Sequence, residues 1–271
     1  MILLNINWNP NIEIFSIGSF SIRYYSLMFV IAFLLGLQIM KRVYKNDNVS
    51  IEKLDSLFVY LVVSILIGAR LGHFLFYDFE FLMKHPIEVL LPIKLNPFQF
   101  TGYQGLASHG AAIAVIITMF YYSKKVLHKP VLWILDRIVL PVAIGGVFVR
   151  IGNLVNSEII GKPTNSDYGF IFQQLGEDFP RHPTQLYEAF GYLITFVILW
   201  YIYWKTNKKE NLGYLFGIFM VLLWSVRFIV EFFKEAQVDQ RSAWDLNTGQ
   251  LLSIPLILIG FYFMYRSTKK N

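Results

Sequence analysis

Apolar residues along this chain fall in long unbroken runs rather than in alternating or one-faced patterns. Seven of them, approximately Ser21–Met40, Ser56–Tyr77, Gly105–Ser123, Val131–Val149, Pro183–Trp204, Asn211–Phe233 and Gly249–Tyr265, are long enough to cross a hydrocarbon core, which takes about 20 helical residues. Backbone polar groups in lipid must be satisfied inside a helix or a closed barrel. Continuous runs, as opposed to period-two alternation, predict helices. The fourth run is the least regular, because Asp136 and Arg137 interrupt it. The fold class predicted is all-α: a polytopic membrane protein with seven transmembrane helices, forming one membrane domain over residues 1–271.

Loop charge then gives an orientation. The connections at 41–55, 124–130, 205–210 and the tail from 266 hold 13 Lys and Arg, and the opposite set holds 7. The richer side faces the cytoplasm by the positive-inside rule, so the N-terminus is expected outside and the C-terminus cytoplasmic. The long connections near 78–104, 150–182 and 234–248 are then extracytoplasmic. Their Pro, Asn and Gly content predicts ordered loops rather than tethers. The first 20 residues lack a basic n-region, so no cleavable signal peptide is expected.

Composition agrees and narrows the chemistry. Only 15% of residues are charged and 55% are hydrophobic, more apolar side chains than a soluble core of this size buries. With no cysteine in the chain, disulfides, thiolate metal sites and an enzyme-borne sulfur nucleophile are excluded. Any sulfur chemistry here must use sulfur from the substrate. No basic run exceeds two residues and the five histidines show no paired spacing on one helix. Neither a nucleic-acid partner nor a metal is expected.

Charges inside apolar runs carry the functional signal, since each costs about 2.5–3.5 kcal/mol at a helix centre unless paired or hydrated. Arg70 lies in "SILIGARLGHFLFY", and Arg227 and Glu231 lie four residues apart in "LLWSVRFIVEFF", on one helical face. The pair reads both as a structural ion pair and as a carboxylate orienting a guanidinium towards an anion. His109, in "GLASHGAAIAVI", sits among small residues that leave space for a close helix or a substrate, and an imidazole exchanges protons near neutrality. The densest polar cluster is "RIGNLVNSEIIGKPT": Arg150, Asn153, Asn156 and Glu158, followed by Gly161. A guanidinium flanked by two amides suits phosphate oxygens. "RHPTQLYEAF" opens the fifth run with side chains suited either to capping or to ligation.

Taken in order, "FSIGSFSIRYYSLMFVIAFLLG", "GARLGHFLFYD", "GLASHGAAIA", "RIGNLVNSEIIGKPT", "RHPTQLYEAF", "RFIVEFFKE" and "GQLLSIPLILIG" closely resemble prolipoprotein diacylglyceryl transferases, from about Phe15 to Gly260. The resemblance implies transfer of the diacylglyceryl group of phosphatidylglycerol to the lipobox cysteine thiol of a prolipoprotein, leaving a thioether and glycerol phosphate. It implies a bacterial inner-membrane enzyme with its site on the extracytoplasmic side, prolipoprotein signal peptides as partners, and no cofactor. Residue by residue, it places catalytic roles on His109, Tyr25, Arg227 and Glu231, and phosphatidylglycerol binding on Arg150, Asn153, Asn156, Glu158 and Gly161. The chain departs from the family pattern at Ala111, Ser26 and Leu223. The alternatives are a seven-helix transporter, although no related halves are visible, and a catalytically inactive lipid-binding relative.

Overall fold

In the computed structural model, the residues described are 4–17, 20–91, 93–95, 97–100, 105, 107–164, 166, 168–235 and 246–269. Each predicted run is helical: α1 (Tyr24–Asn46), α2 (Ile51–Tyr77), then the short α3 (Phe79–Lys84) and α4 (Pro86–Leu90), α5 (Ser108–Tyr122), α6 (Val131–Val155), α7 (Thr184–Lys205), α8 (Tyr214–Val230) and α9 (Thr248–Lys269). Six of them are long and apolar enough to cross a membrane, α5 doing so together with the π turn Ser123–Leu127 that continues it. The exception is α8, whose 17 residues reach about 25 Å at 1.5 Å per residue, where the sequence predicts a full span over Asn211–Phe233. Its start is pinned by Gly213, in the left-handed region at φ 91°. Its end is a turn over Glu231–Phe233.

Strands join the helices where only loops were expected. β1 (Leu4–Trp8) pairs in parallel with β6 (Tyr168–Phe172), in the register Leu4 to Tyr168 through Trp8 to Phe172. β2 (Glu13–Ile17) and β3 (Phe20–Arg23) form an antiparallel pair, as do β4 (Ile93–Lys94) and β5 (Gln99–Phe100). The chain divides into two compact units: Met1–Arg42 with Leu135–Asn271, and Val43–Ile134.

In the smaller unit, α2 and α5 approach at glycines. A Cβ on Gly72 would lie 2.5 Å from the Gly110 Cα, and one on Gly110 would lie 2.2 Å from the Gly68 carbonyl. The small residues read around His109 therefore serve helix contact. Arg70 is buried, donating from Nε to the Val89 carbonyl at 2.9 Å and from Nη2 to the Glu88 carbonyl at 3.0 Å. These are carbonyls of the C-terminal end of α4, where the helix carries partial negative charge. The arginine read as an intramembrane signal is thus a helix cap.

In the larger unit, α8 and α9 close on Gly217 and Gly260, each of whose Cβ would meet the other's carbonyl at 2.7–2.8 Å. Asp136, fully buried on α6, accepts from the Gly213 and Phe216 amides at 2.6 and 2.9 Å. It caps the N-terminus of α8 with charge of the sign the helix favours there. The neighbouring Arg137 points elsewhere and donates to the Lys209 carbonyl at 3.3 Å. The β1–β6 pair sits on the end of α6. Trp8 donates from Nε1 to the Leu154 carbonyl at 2.9 Å, and Leu154, Phe170 and Phe172 form a buried cluster with Trp8, Ile160 and Leu186 against it.

Candidate active site

At one end of the larger unit the C-termini of α6 and α8 meet the N-termini of α7 and α9, and the predicted polar residues gather there. Because α6 continues to Val155, Arg150 and Asn153 stand on a rigid helix rather than in the loop expected from residue 150 onward. Cations near the C-terminal turns of α6 and α8, and acceptors near the N-terminal turns of α7 and α9, follow the sign of the helix dipoles.

A line of alternating charge crosses the helices. Arg150 Nε lies 2.8 Å from Glu188 Oε2 on α7. Glu188 Oε1 accepts from Lys234 Nζ at 3.0 Å, and Lys234 Nζ donates also to Glu231 Oε1 at 3.1 Å. Arg227 Nε stands 3.9 Å from that same Glu231 oxygen, beyond hydrogen-bond reach. Glu188 is fully buried and Lys234 is 5% exposed, whereas the Arg227 side chain is 35% exposed. The expected Arg227–Glu231 couple is therefore loose. The tighter partners of Glu231 are Lys234 and Asn247, whose Nδ2 donates to Oε2 at 3.1 Å. Gly249, at the start of α9, leaves room for this carboxylate: a Cβ there would be 2.6 Å from it.

A second branch leaves Arg150. Its Nη1 donates to Asn153 Oδ1, Asn153 Nδ2 to Glu158 Oε2, and Asn156 Nδ2 to Glu158 Oε1, each at 3.2 Å. The segment carrying Glu158 is held under strain. Ser157 and Ile159 have φ of 53° and 57°, a conformation unfavourable for a β-branched residue. Two side chains of the first turn of α7 hold it there. Gln185 Nε2 donates to the Glu158 carbonyl at 2.7 Å, and Thr184 Oγ1 to the Ile159 carbonyl at 3.0 Å. "RHPTQLYEAF" thus clamps the turn, and its N-cap residue Pro183 makes no side-chain capping bond.

Gly161 is buried at a backbone crossing. Its amide donates to the His182 carbonyl at 3.1 Å, and a Cβ would lie 2.3 Å from that oxygen and 2.9 Å from the Phe233 carbonyl. Its own carbonyl accepts from Arg181 Nη1 at 3.0 Å. Arg181 is also gripped by both oxygens of Glu177 at 2.6 Å and by Glu235. Hydrogen bonding to Glu177 first, and then to Glu235, pushes the guanidinium pKa up from its ordinary value, against the opposing effect of burial.

Five buried polar atoms in this region have no hydrogen-bond partner among the described residues: Arg227 Nε, Gln250 Nε2, Asn156 Oδ1, Gln185 Oε1 and Glu188 Oε2, the last engaged by its ion pair with Arg150. Unsatisfied buried groups cost about 1–3 kcal/mol each and call for an explanation. The two donors and the two amide acceptors among them, beside the partly exposed Arg150 and Arg227, are what a phosphate and hydroxyl-bearing ligand would complete.

Tyr25 packs over Gly152, where a Cβ would be 2.8 Å from its ring, and edge-on to Phe29 at 5.2 Å. The larger unit therefore brings together Arg150, Asn153, Asn156, Glu158, Arg227 and Glu231 with Gly161 behind them. His109 belongs to the smaller unit, exposed in the first turn of α5. Sequence reasoning missed Lys234, Asn247 and the Arg181 clamp. The one available signal was that Lys234 follows Glu231 at i+3, a helical ion-pair spacing.

A family model described as prolipoprotein diacylglyceryl transferase matches residues 12–266. Proteins named phosphatidylglycerol–prolipoprotein diacylglyceryl transferase are similar along almost the whole length. That of Bacteroides fragilis is 42% identical, covering 100% of this chain and 98% of its own. Those of Tolumonas auensis and Chloroherpeton thalassium are 37% and 38% identical, over 97% and 98% of this chain and 98% and 95% of theirs. With its helices, its arginine-centred cluster and these relatives in agreement, the chain belongs to the prolipoprotein diacylglyceryl transferase family.

Proposed function

We propose that this chain transfers the diacylglyceryl group of phosphatidylglycerol to the lipobox cysteine thiol of prolipoproteins, the first step of lipoprotein maturation. The observation that carries the reading is the pair of arginines, Arg150 set against the buried Glu188 and Arg227 against the partly buried Glu231, with the Arg227 Nε left without a hydrogen-bond partner among the described residues. A guanidinium held in a low-dielectric surrounding, with donors still to spare, suits a phosphodiester and the negative charge that develops as it leaves.

In this reading His109 accepts the thiol proton, since an ordinary thiol ionises only near pH 8.5. The thiolate attacks the glyceryl carbon. The carbon–sulfur bond forms as the carbon–oxygen bond to phosphorus breaks, and the electron pair departs on glycerol phosphate. Arg150 and Arg227 hold that phosphate, Asn153 and Asn156 meet head-group oxygens, and Tyr25 donates a hydrogen bond. Glu158 and Glu231 orient the donors, while Gly161 allows the crossing that seats Glu158. The absence of cysteine from the chain fits a reaction whose sulfur arrives with the substrate.

The seven helices form one multi-pass domain in the bacterial inner membrane, α8 included. The loop-charge asymmetry supports an outside N-terminus, a cytoplasmic C-terminus and a site on the extracytoplasmic side. Incubating the purified protein with phosphatidylglycerol and a lipobox peptide should give, by mass spectrometry, a diacylglyceryl adduct on the cysteine. No adduct under conditions where the lipid binds overturns the reading.

A further inference from the structure

Lys234 lies outside every helix, yet its side chain turns back into the bundle. Its backbone bridges to Gly161, beyond the turn that ends α8. Its ammonium is buried and donates to two carboxylates from different elements, Glu188 of α7 at 3.0 Å and Glu231 at 3.1 Å. Each carboxylate faces one arginine of the candidate site, Glu188 Oε2 facing Arg150 at 2.8 Å and Glu231 Oε1 facing Arg227 at 3.9 Å. Asn247 donates to the remaining oxygen of Glu231. Lysine is thus the shared centre of a five-membered row in which the outer members are the two guanidiniums.

We propose that Lys234 is a positioning residue that sets how far Arg150 and Arg227 are available to the lipid phosphate, an inference resting on the transferase reading above. The physical reason is competition. A carboxylate already neutralised from its inner side by an ammonium attracts a guanidinium on its outer side less strongly, so the guanidinium keeps donors for a ligand. Without the ammonium, the buried Glu188 and the partly buried Glu231 lose the cation they share. Glu188 then holds Arg150 more tightly at the contact it already makes, and Glu231 draws its arginine inward. For Arg227 this closes the gap from 3.9 Å and consumes the Nε donor that now lacks a partner. The arginines remain and the charge of the lipid is unchanged, yet the clamp loses its grip.

The test uses the purified full chain, with phosphatidylglycerol binding followed by native mass spectrometry beside the adduct assay, and with diacylglycerol, which has no phosphate, as the comparison ligand. Lys234→Met and Lys234→Gln should weaken phosphatidylglycerol binding about ten-fold or more, the scale for truncating one partner of a buried charge pair. They should raise the lipid KM in step and leave the peptide KM within about two-fold, the signature of lost ground-state binding. Lys234→Arg should stay within about three-fold of the parent, because the charge is kept. If Lys234→Met does not fold, Lys234→Gln, which retains hydrogen-bonding capacity, decides. Unchanged phosphatidylglycerol affinity in the Gln variant, equal losses for diacylglycerol, or an Arg variant as poor as Met overturns the inference. A parent protein that binds phosphatidylglycerol but forms no adduct overturns the transferase reading alone, and the binding measurements still decide the role of Lys234.

Discussion

Arg150 and Glu188 meet at 2.8 Å across two helices, with the carboxylate wholly buried. A carboxylate at that depth is not sustainable without a partner. Glu188→Gln should therefore cost about 3–5 kcal/mol of stability, the scale for breaking a buried ion pair from one side. Arg150→Gln should cost less, because Lys234 still faces Glu188, and the double variant less than the sum of the two, because both members of the pair are then gone. Thermal unfolding of the three variants in detergent measures the coupling. Strict additivity would show that the two groups do not interact.

At the other end of the row, Arg227→Lys keeps the charge but not the planar fork. An ammonium cannot present the Nε and Nη donors together, so kcat/KM for lipid should fall about 10–100-fold, by the loss of one or two charge-assisted bonds. Lipid-dependent kinetics checks this. Parent-like activity would mean that a point charge suffices at this position.

His109→Gln separates proton transfer from binding. Glutamine hydrogen-bonds but accepts no proton, so phosphatidylglycerol should bind as before while thiol alkylation stops at neutral pH. Raising the pH towards that at which the peptide thiol ionises unaided should restore part of the rate. A variant that turns over normally at neutral pH removes His109 from the role of base.

The clamp on the strained turn makes a structural prediction. Gln185→Leu and Thr184→Val each delete a side chain bonded to a carbonyl of the turn at Ser157–Ile159. Left-handed backbone at non-glycine residues costs about 1–3 kcal/mol each and persists only while its surroundings hold it. Limited proteolysis should cut both variants within 157–163 faster than the parent, with activity falling in parallel. Resistance equal to the parent would show that the turn holds itself.

Asp136→Ala tests a charge remote from the cluster. Two amides at the start of α8 lose their acceptor, which should lower stability by about 1–3 kcal/mol. Specific activity of the protein that remains folded should be unaltered. A selective loss of kcat would instead give Asp136 a catalytic part.

How much of this was legible beforehand varied with the range of the interaction. The helices were readable because an apolar run is a local property, and all seven runs are helical. The end of α6 was misplaced by six residues because Arg150 and Asn153 looked like a loop, whereas Glu188 and Glu158 satisfy them on a helix. Arg70 looked like an exception in lipid and proved to cap a helix elsewhere in the chain, and Asp136, whose place near the end of its run suggests a structural role, caps another. No spacing rule connects residues 77 positions apart. Lys234, counted as a loop charge in the orientation argument, is pinned by carboxylates from 46 and 3 residues away. Arg150, Arg181 and Lys234, all on the poorer side of that count, are each paired with acids. The β1–β6 pair was invisible because five-residue strands give little pattern when their partner is so distant.

That pairing bears on how the molecule is made. The first strand leaves the ribosome 164 positions ahead of its mate, as the register Leu4 to Tyr168 requires. At about 5–20 residues per second this is a wait of roughly 10–30 s. Throughout that interval the nascent chain carries an open strand edge, the kind of surface that invites mispairing. Completion of the β1–β6 pair at the end of α6 is thus a late event in biogenesis, and slowing elongation before codon 172 should lengthen the period in which the newborn chain needs chaperone protection.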